Sequence, residues 1–126
     1  MTNTVLYVED NDTNIALVER ILRRRPGIEL VTATTGDRGL QIAQAIEPSL
    51  ILLDRRLPDM LGNEVLRRLK ASDRSAAIPV VVLSGDSASE QATEILELGA
   101  DEFLAKPFDV LQLLAIVDRF CGAKNA

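Results

Sequence analysis

The sequence contains no histidine and no tryptophan, and its single cysteine is Cys121. The lack of histidine excludes histidine-based acid–base catalysis and zinc sites with histidine ligands. Cys121 has no partner for a disulfide within the chain, and the surrounding LLAIVDRFCG is typical of a small buried hydrophobic residue. No apolar run approaches the roughly 18 residues of a membrane span, and MTNTVLYVEDN lacks the features of a signal peptide. We therefore expect a cytoplasmic protein.

Positive charge is also scarce, since 14 Lys and Arg residues stand against 19 Asp and Glu residues and give a net charge of -5. Binding to nucleic acid or to anionic lipid requires a positive surface, so we expect neither partner. The 126 residues are 47% hydrophobic and 26% charged, which is typical of a globular domain. We predict a single domain over residues 1–126, with its core at about 4–120 and a short tail at 121–126.

Short apolar segments alternate with amphipathic ones along the chain. The apolar segments predict five strands, TVLYV, ELVTA, LILLD, IPVVVLS and DEFLA. The amphipathic segments predict helices at about 13–24, 36–46, 62–71, 87–98 and 108–120. Asp12 or Thr13 could cap the first helix. The alternation indicates an α/β fold, in which helices cover both faces of a five-stranded parallel sheet and the crossovers are right-handed.

Polar side chains follow four of the five predicted strands. Glu9 and Asp10 follow the first strand, Asp54 ends the third, Ser84 ends the fourth and Lys106 follows the fifth. Each of them alone also suits a solvated turn or a surface position. Because ligand sites in open parallel sheets form at the carboxyl ends of the strands, we expect these groups to share one edge.

Three carboxylates at one edge need a reason, since two like charges about 4 Å apart repel by roughly 4 kcal/mol at an effective dielectric constant near 20. A bound cation is the simplest reason, and oxygen ligands on an open edge suit Mg²⁺, which keeps several waters and bridges to phosphate. The pattern therefore predicts a phosphoryl-transfer site. Asp54, at the end of a buried strand, is best placed as the nucleophile, while Lys106 and Ser84 can bind the transferred oxygens.

At these positions the sequence resembles the receiver domain of bacterial two-component response regulators. The matching motifs are VEDN at the first strand, LLD with LPDM and Gly62 around the third, VVLSGD at the fourth and FLAKPF at the fifth, and they cover TVLYVEDN to about Phe120. The resemblance implies a flavodoxin-like sheet of order 2-1-3-4-5. It also implies the phosphoacceptor of a phosphorelay, which catalyses its own phosphorylation and dephosphorylation and is not otherwise an enzyme.

The resemblance also implies a role for each residue of the site. Asp54 takes a phosphoryl group from a histidine kinase or a histidine phosphotransfer protein, with Mg²⁺, or Mn²⁺ in its place, as the cofactor. Asp10 binds the metal directly, Glu9 binds it through water, and Asp54 and the backbone carbonyl of Arg56 complete the protein ligands. The phosphorylated domain controls a downstream protein or an attached output domain, and we expect a monomer or a weak homodimer.

A conformational switch is implied as well. When Asp54 is phosphorylated, Ser84 is expected to move toward the phosphoryl group and Phe103 to rotate into the space that Ser84 leaves. Phe103 has no hydroxyl, so packing alone must set its position. Pro107 matches the cis proline of the family, which orients Lys106.

The sequence departs from the family pattern beside the site. Arg55 and Arg56 stand after Asp54, where the family usually has an apolar residue, and Leu61 stands at a position that is often aspartate. We hypothesise that Arg56 and Asp86 meet across the pocket and alter the lifetime of the phosphate. The alternative is an exposed ion pair worth about 0 to 1 kcal/mol with no kinetic role.

Three other functions fit parts of the pattern. A receiver-like interaction module that is never phosphorylated would have lost Asp54, Lys106 or the acidic pair, and none of these is lost. A flavin-binding protein would need a Gly/Ser/Thr-rich loop where EDND stands. A magnesium phosphatase would need a second acid near the nucleophile and a substrate-capping insertion, and steady turnover of a phosphomonoester would distinguish it.

Overall fold

The computed structural model describes residues 3–85 and 89–122. In this part of the chain five strands alternate with five helices, as predicted. The strands are β1 (Asn3–Val8), β2 (Ile28–Ala33), β3 (Leu50–Asp54), β4 (Val80–Ser84) and β5 (Glu102–Ala105). The helices are α1 (Asp12–Leu22), α2 (Gly36–Ile46), α3 (Gly62–Ala71), α4 (Ser89–Glu97) and α5 (Val110–Cys121).

The five strands pair in parallel in one sheet of order β2-β1-β3-β4-β5. The predicted flavodoxin-like order is therefore confirmed. Every residue of β3 and β4 is buried, whereas the edge strands β2 and β5 are buried only in part. Burial on both faces explains why LILL and VVVL have no polar alternation. None of the helices in the described residues is long and apolar enough to cross a membrane.

The apolar core forms one layer on each face of the sheet. One layer packs under α1 and α5, and the other packs under α2, α3 and α4. Cys121 belongs to the first layer, where burial, followed by the charge of Asp118, raises the pKa of its thiol to about 11. The expectation of a buried, unreactive cysteine agrees with this environment.

Helix α1 begins one residue earlier than predicted and has a different cap. Asn11 has an extended backbone and is the N-cap, and its side-chain oxygen accepts a hydrogen bond from the Asn14 N–H at 3.0 Å. Asp12 and Thr13 already lie in the first turn. The expectation that one of them caps the helix is therefore wrong, because a cap must precede the first helical residue.

Two other helix ends differ from the predicted ones by two residues. Helix α1 ends at Leu22 because the N–H groups of Arg24 and Arg25 bond three residues back, to the carbonyls of Ile21 and Leu22, instead of four. Helix α5 begins at Val110 because Asp109 caps it, and its side chain and backbone exchange hydrogen bonds with Gln112. Such reciprocal capping fixes the first helical residue.

Strand β4 and helix α4 are the remaining elements with revised bounds. Strand β4 is shorter than predicted because the Ile78 N–H donates to the Ser75 carbonyl at 3.0 Å and Pro79 has no N–H to donate. The predicted start of the fourth helix, at residue 87, lies outside the described residues, which resume at 89. All other predicted ends agree with the structure to within one residue.

A bidentate salt bridge joins α5 to the segment after α1, and its contribution to stability should depend on pH. Arg25 Nε and Nη2 donate to the two carboxylate oxygens of Asp118 at 2.7 and 2.8 Å, and the Arg25 hydrogen bond lowers the pKa of Asp118 below its ordinary 3.8. A lowered pKa means that the stabilisation is present above about 3.8 and is lost as the pH falls through the folded-state value. We expect Asp118→Asn to reduce the free energy of unfolding by about 1 kcal/mol at neutral pH.

Urea unfolding of Asp118→Asn and of the parent across the acid range measures this difference. The two proteins should converge as the pH falls, because protonated Asp118 no longer attracts Arg25. A gap that widens toward acid pH would contradict the assignment.

Candidate functional site

The carboxyl ends of four strands meet at one edge of the sheet. Glu9 and Asp10 directly follow β1, Asp54 ends β3, Ser84 ends β4 and Lys106 directly follows β5. Glu9, Asp54 and Ser84 are buried there, whereas Asp10 is exposed. Parallel pairing thus brings all five predicted residues to the same edge.

Lys106 lies between two of the buried carboxylates. Its Nζ donates to Asp54 Oδ1 at 2.7 Å and to Glu9 Oε1 at 2.9 Å. Its backbone N–H donates to the Ser84 carbonyl at 2.7 Å, which fixes the point where the chain leaves β5. The peptide bond from Lys106 to Pro107 is cis. Glu9 and Lys106, which are 97 residues apart in the sequence, therefore belong to one charged cluster.

In this cluster, burial and ion pairing shift the pKa values of Asp54 and Lys106 in opposite directions. Burial raises the pKa of Asp54 above its ordinary 3.8, the hydrogen bond and charge of Lys106 lower it, Glu9 raises it, and a hydrogen bond from the Arg56 backbone lowers it. Burial also lowers the pKa of Lys106, but its hydrogen bonds to Asp54 and Glu9 outweigh this effect and raise the pKa above 10.5. Lys106 therefore remains a cation between the carboxylates.

Three carboxylates at this edge could hold a metal ion. Glu9, Asp10 and Asp54 each offer one oxygen, and these oxygens lie within 4.8 Å of one another. Lys106 supplies one positive charge against three negative ones, so the cluster keeps an excess of negative charge. An all-oxygen donor set with one exposed member fits a hydrated Mg²⁺ ion, which retains waters and prefers carboxylates.

The loop after β3 turns sharply beside the site. Arg56 and Leu61 form a short antiparallel bridge, and the Gly62 N–H donates to the Arg55 carbonyl at 2.6 Å. A Cβ atom at Gly62 would stand 2.5 Å from the Asp54 carbonyl oxygen, so a larger residue does not fit without a shift of the backbone. The turn keeps the Arg56 backbone next to Asp54, to which it donates a hydrogen bond.

The predicted switch residues lie on neighbouring strands. Ser84 is buried at the end of β4, and Phe103 on β5 is half-buried and packs against the core layer of α2, α3 and α4. Asp86, the predicted partner of Arg56, lies outside the described residues.

A family model described as "Response regulator receiver domain" matches residues 5–118. The chain belongs to this family. It is a receiver domain of two-component signalling, as the resemblance implied. The matched range includes every residue of the charged cluster, from Glu9 to Lys106.

Two curated relatives are longer proteins that match this receiver domain over part of their own length. It is 34% identical over 112 residues to "DNA-binding dual master transcriptional regulator RpaA" of Synechocystis sp., a match covering 89% of this chain and 46% of that protein. It is 35% identical over 108 residues to "Histidine kinase P4" of Formosa agariphila, covering 86% of this chain and 8% of that protein. The chain spans less than half the length of these relatives.

A solved structure has the same fold with a metal bound. It is the receiver domain of the sensor histidine kinase PA1611 from Pseudomonas aeruginosa PAO1, "with magnesium ion coordinated in the active site cleft". The two chains are 28% identical with a TM-score of 0.87, over 97% of this receiver domain and 99% of the other.

Three side chains that support the site were not identified in this role from the sequence. Tyr7 and Asn14 both donate to Glu9 Oε1, at 2.9 and 3.2 Å. Asp59 accepts hydrogen bonds from the backbone N–H groups of Gly36 and Asp37 at 2.8 and 2.9 Å, which ties the loop after β3 to the start of α2. The available signal was a tyrosine within the buried part of β1, VLYV, two residues before Glu9.

Leu61, which stands where the family often has aspartate, leaves helix α3 without a side-chain cap. It is the N-cap of α3, makes no side-chain capping bond and is 46% exposed. We expect Leu61→Asn to raise the free energy of unfolding by about 1 kcal/mol, because Asn can accept a hydrogen bond from the first turn. Urea unfolding measures this, with Leu61→Ala as a control that removes the leucine without adding an acceptor. Equal stability of the Asn and Ala variants would contradict the explanation.

Proposed function

We propose that Asp54 is the phosphoacceptor of this receiver domain. A carboxylate oxygen of Asp54 attacks the phosphorus of a phosphohistidine, the P–N bond breaks, and the imidazole leaves with the bonding electrons. The product is an acyl phosphate on Asp54 and a free histidine on the partner. The observation that carries the proposal is the 2.7 Å contact between Lys106 and a buried carboxylate at the end of the central strand.

The neighbouring side chains stabilise the phosphoryl group. Lys106, already held as a cation beside Asp54, moves its ammonium group to a transferred oxygen, and the Ser84 hydroxyl donates to another. The movement of Ser84 opens space into which Phe103 rotates from its half-buried position. Two packings of β4 and β5 then represent the two signalling states.

The metal site is proposed at Asp10, Asp54 and the Arg56 carbonyl, with Glu9 bound through water. Mg²⁺ supplies positive charge that offsets the repulsion between the incoming phosphoryl oxygens and the carboxylates, and Mn²⁺ can replace it. The protein residues provide the geometry: Glu9 and Asp54 are buried and fixed by hydrogen bonds, while exposed Asp10 leaves the ion open to water and phosphate.

The proposed partners follow from this chemistry. A histidine kinase or a histidine phosphotransfer protein supplies the phosphoryl group, and a downstream protein or an attached output domain receives the signal. We propose that residues 1–126 act as one receiver domain in the cytoplasm, that it is a monomer or weak homodimer, and that its catalysis is limited to its own phosphorylation and dephosphorylation.

The proposed function is tested by incubating the domain with Mg²⁺ and acetyl phosphate and measuring the intact mass. One labile phosphoryl group per chain, prevented by a chelator, is expected. Absence of incorporation in the presence of Mg²⁺ would favour the interaction module that is never phosphorylated. Continuous turnover of an added phosphomonoester would favour the phosphatase.

We also propose that Arg56, which is exposed, shields the acyl phosphate from water together with Asp86. Arg56→Ala should then lose its phosphoryl group severalfold faster than the parent after removal of the phosphodonor. Asp86→Ala should have the same effect, and the double variant should add nothing further. Equal rates in all four proteins would contradict the pairing and leave only an ordinary surface charge.

A further inference from the structure

Tyr7 is a fully buried residue whose polar end reaches the carboxylate cluster. Its ring packs in the core layer under α1 and α5, and its hydroxyl donates to Glu9 Oε1 at 2.9 Å. Glu9 is itself only 1% exposed. The Tyr7 hydroxyl therefore contacts the cluster from the side of the core, and the phosphoryl chemistry described above gives it no role.

The hydrogen bonds to Glu9 are distributed unequally between its two oxygens. Oε1 accepts from Tyr7, from Asn14 Nδ2 at 3.2 Å and from Lys106 Nζ at 2.9 Å. Among the residues that the structure describes, the one donor to Oε2 is the Asn11 N–H, at a long 3.3 Å. Because a carboxylate oxygen offers about two acceptor positions, Oε1 is fully occupied and the free capacity of Glu9 lies at Oε2.

The number of donors to Glu9 Oε1 also determines how the carboxylate responds when Lys106 moves. If Lys106 leaves Glu9 for a phosphoryl oxygen, Oε1 still keeps two donors, those of Tyr7 and Asn14. The buried carboxylate then retains the hydrogen bonds that its burial requires. Without Tyr7, Oε1 would keep one donor, so Glu9 would hold Lys106 more firmly.

We propose that Tyr7 and Asn14 are positioning residues of the metal site: they fix Glu9 so that Oε2 is available to the ion or its water, and they keep Oε1 satisfied when Lys106 moves. This inference rests on the proposed magnesium site. A hydrogen bond that orients a metal-site carboxylate commonly changes metal affinity by about 10- to 100-fold when it is removed. We expect Tyr7→Phe to bind Mg²⁺ about tenfold more weakly than the parent.

The affinity is measured by calorimetric titration of the metal-free protein with Mg²⁺. Ser75→Ala is the matched control, because Ser75 is also fully buried and its hydroxyl donates to the Leu69 carbonyl at 2.7 Å, in the loop at the opposite end of the sheet. The control should lose stability but keep the parent affinity. Asn14→Ala, at a half-buried position, provides a second variant should Tyr7→Phe fail to fold, and its affinity should fall in the same direction.

Tyrosine fluorescence provides a second readout that does not depend on activity. Tyr7 is the single tyrosine of a chain without tryptophan, so this emission reports on the hydroxyl beside Glu9. In the parent, the emission should change with Mg²⁺ at the concentration that calorimetry gives. Asn14→Ala should show the same change at higher Mg²⁺ concentration.

The outcomes separate this inference from the proposed function. If the parent binds no Mg²⁺, the proposed metal site is wrong. If the parent binds Mg²⁺ and both Tyr7→Phe and Asn14→Ala bind it with the parent affinity, the metal site stands and the positioning role is overturned. Weaker binding by both variants, with Ser75→Ala unchanged, is the predicted result.

Discussion

Replacement of Asp54 by asparagine is expected to reduce phosphoryl incorporation by more than about a thousandfold, because an amide is not a nucleophile under these conditions. Asparagine has nearly the shape of aspartate and can still accept the hydrogen bond from Lys106, so the fold should persist. Intact-mass measurement after incubation with Mg²⁺ and acetyl phosphate gives the incorporation, and circular dichroism verifies folding.

Asp118→Asn is the matched control for this experiment. It is the same chemical change, but Asp118 bonds to Arg25, which precedes β2 at the other end of the sheet. This variant should incorporate one phosphoryl group like the parent. Substantial incorporation into Asp54→Asn would show that another residue accepts the phosphoryl group.

Replacement of Lys106 by methionine is expected to have the largest effect on stability. Methionine keeps much of the side-chain length but removes the ammonium that lies between Asp54 and Glu9, whose side chains are 10% and 2% exposed. Breaking a buried ion pair on one side leaves uncompensated charge, so we expect a loss of about 3 kcal/mol at neutral pH without metal. Transfer from acetyl phosphate should also slow strongly, even with Mg²⁺ present, since the ammonium group of Lys106 no longer meets the transferred oxygens.

The pH and Mg²⁺ dependence of Lys106→Met identify the cause of this loss. Without Lys106, burial and mutual repulsion raise the pKa of Asp54 further, so the native state binds more protons than the unfolded state and the variant gains stability as the pH falls. Mg²⁺ should also stabilise the variant more than the parent, because the ion neutralises the same carboxylates.

Urea unfolding with and without Mg²⁺ measures these effects. Lys70→Met serves as the control, since Lys70 Nζ bonds to the backbone carbonyls of Ala76 and Ile78 rather than to a carboxylate. Its loss should be independent of Mg²⁺. A Lys106→Met variant as stable as the parent at neutral pH would contradict the proposed charge balance.

The sheet and the main site residues could be predicted because both depend on local patterns. Continuous apolar runs such as LILL mark strands that are buried on both faces, and parallel pairing then brings the next polar residue of each strand to one edge. Asp54 and Lys106 are 52 residues apart, yet the topology alone predicts that they meet. Helix ends were less predictable, because Asn11, Asp12 and Thr13 are all residue types that cap helices, and the sequence does not show which of them precedes the first helical residue.

The supporting contacts could not be predicted because they depend on side-chain direction in three dimensions. Nothing local shows that the Asp59 carboxylate reaches the N–H groups at the start of α2, 23 residues earlier in the chain. The tie between Tyr7 and Glu9 depends on a strand residue whose ring points into one core layer while its hydroxyl extends to the edge of the sheet. Period-two alternation gives the face of a residue but not how far its polar end extends.

The most direct test of the account is to locate the modified residue chemically. The domain is incubated with acetyl phosphate, with or without Mg²⁺, and treated with borohydride, which reduces an acyl phosphate to an alcohol; peptide mass spectrometry then finds the reduced residue. We predict homoserine at position 54 alone, in the Mg²⁺ sample and not in the chelated one. Reduction at Glu9 or Asp10, or no reduction with Mg²⁺ present, would contradict the assignment of Asp54 as the magnesium-dependent phosphoacceptor.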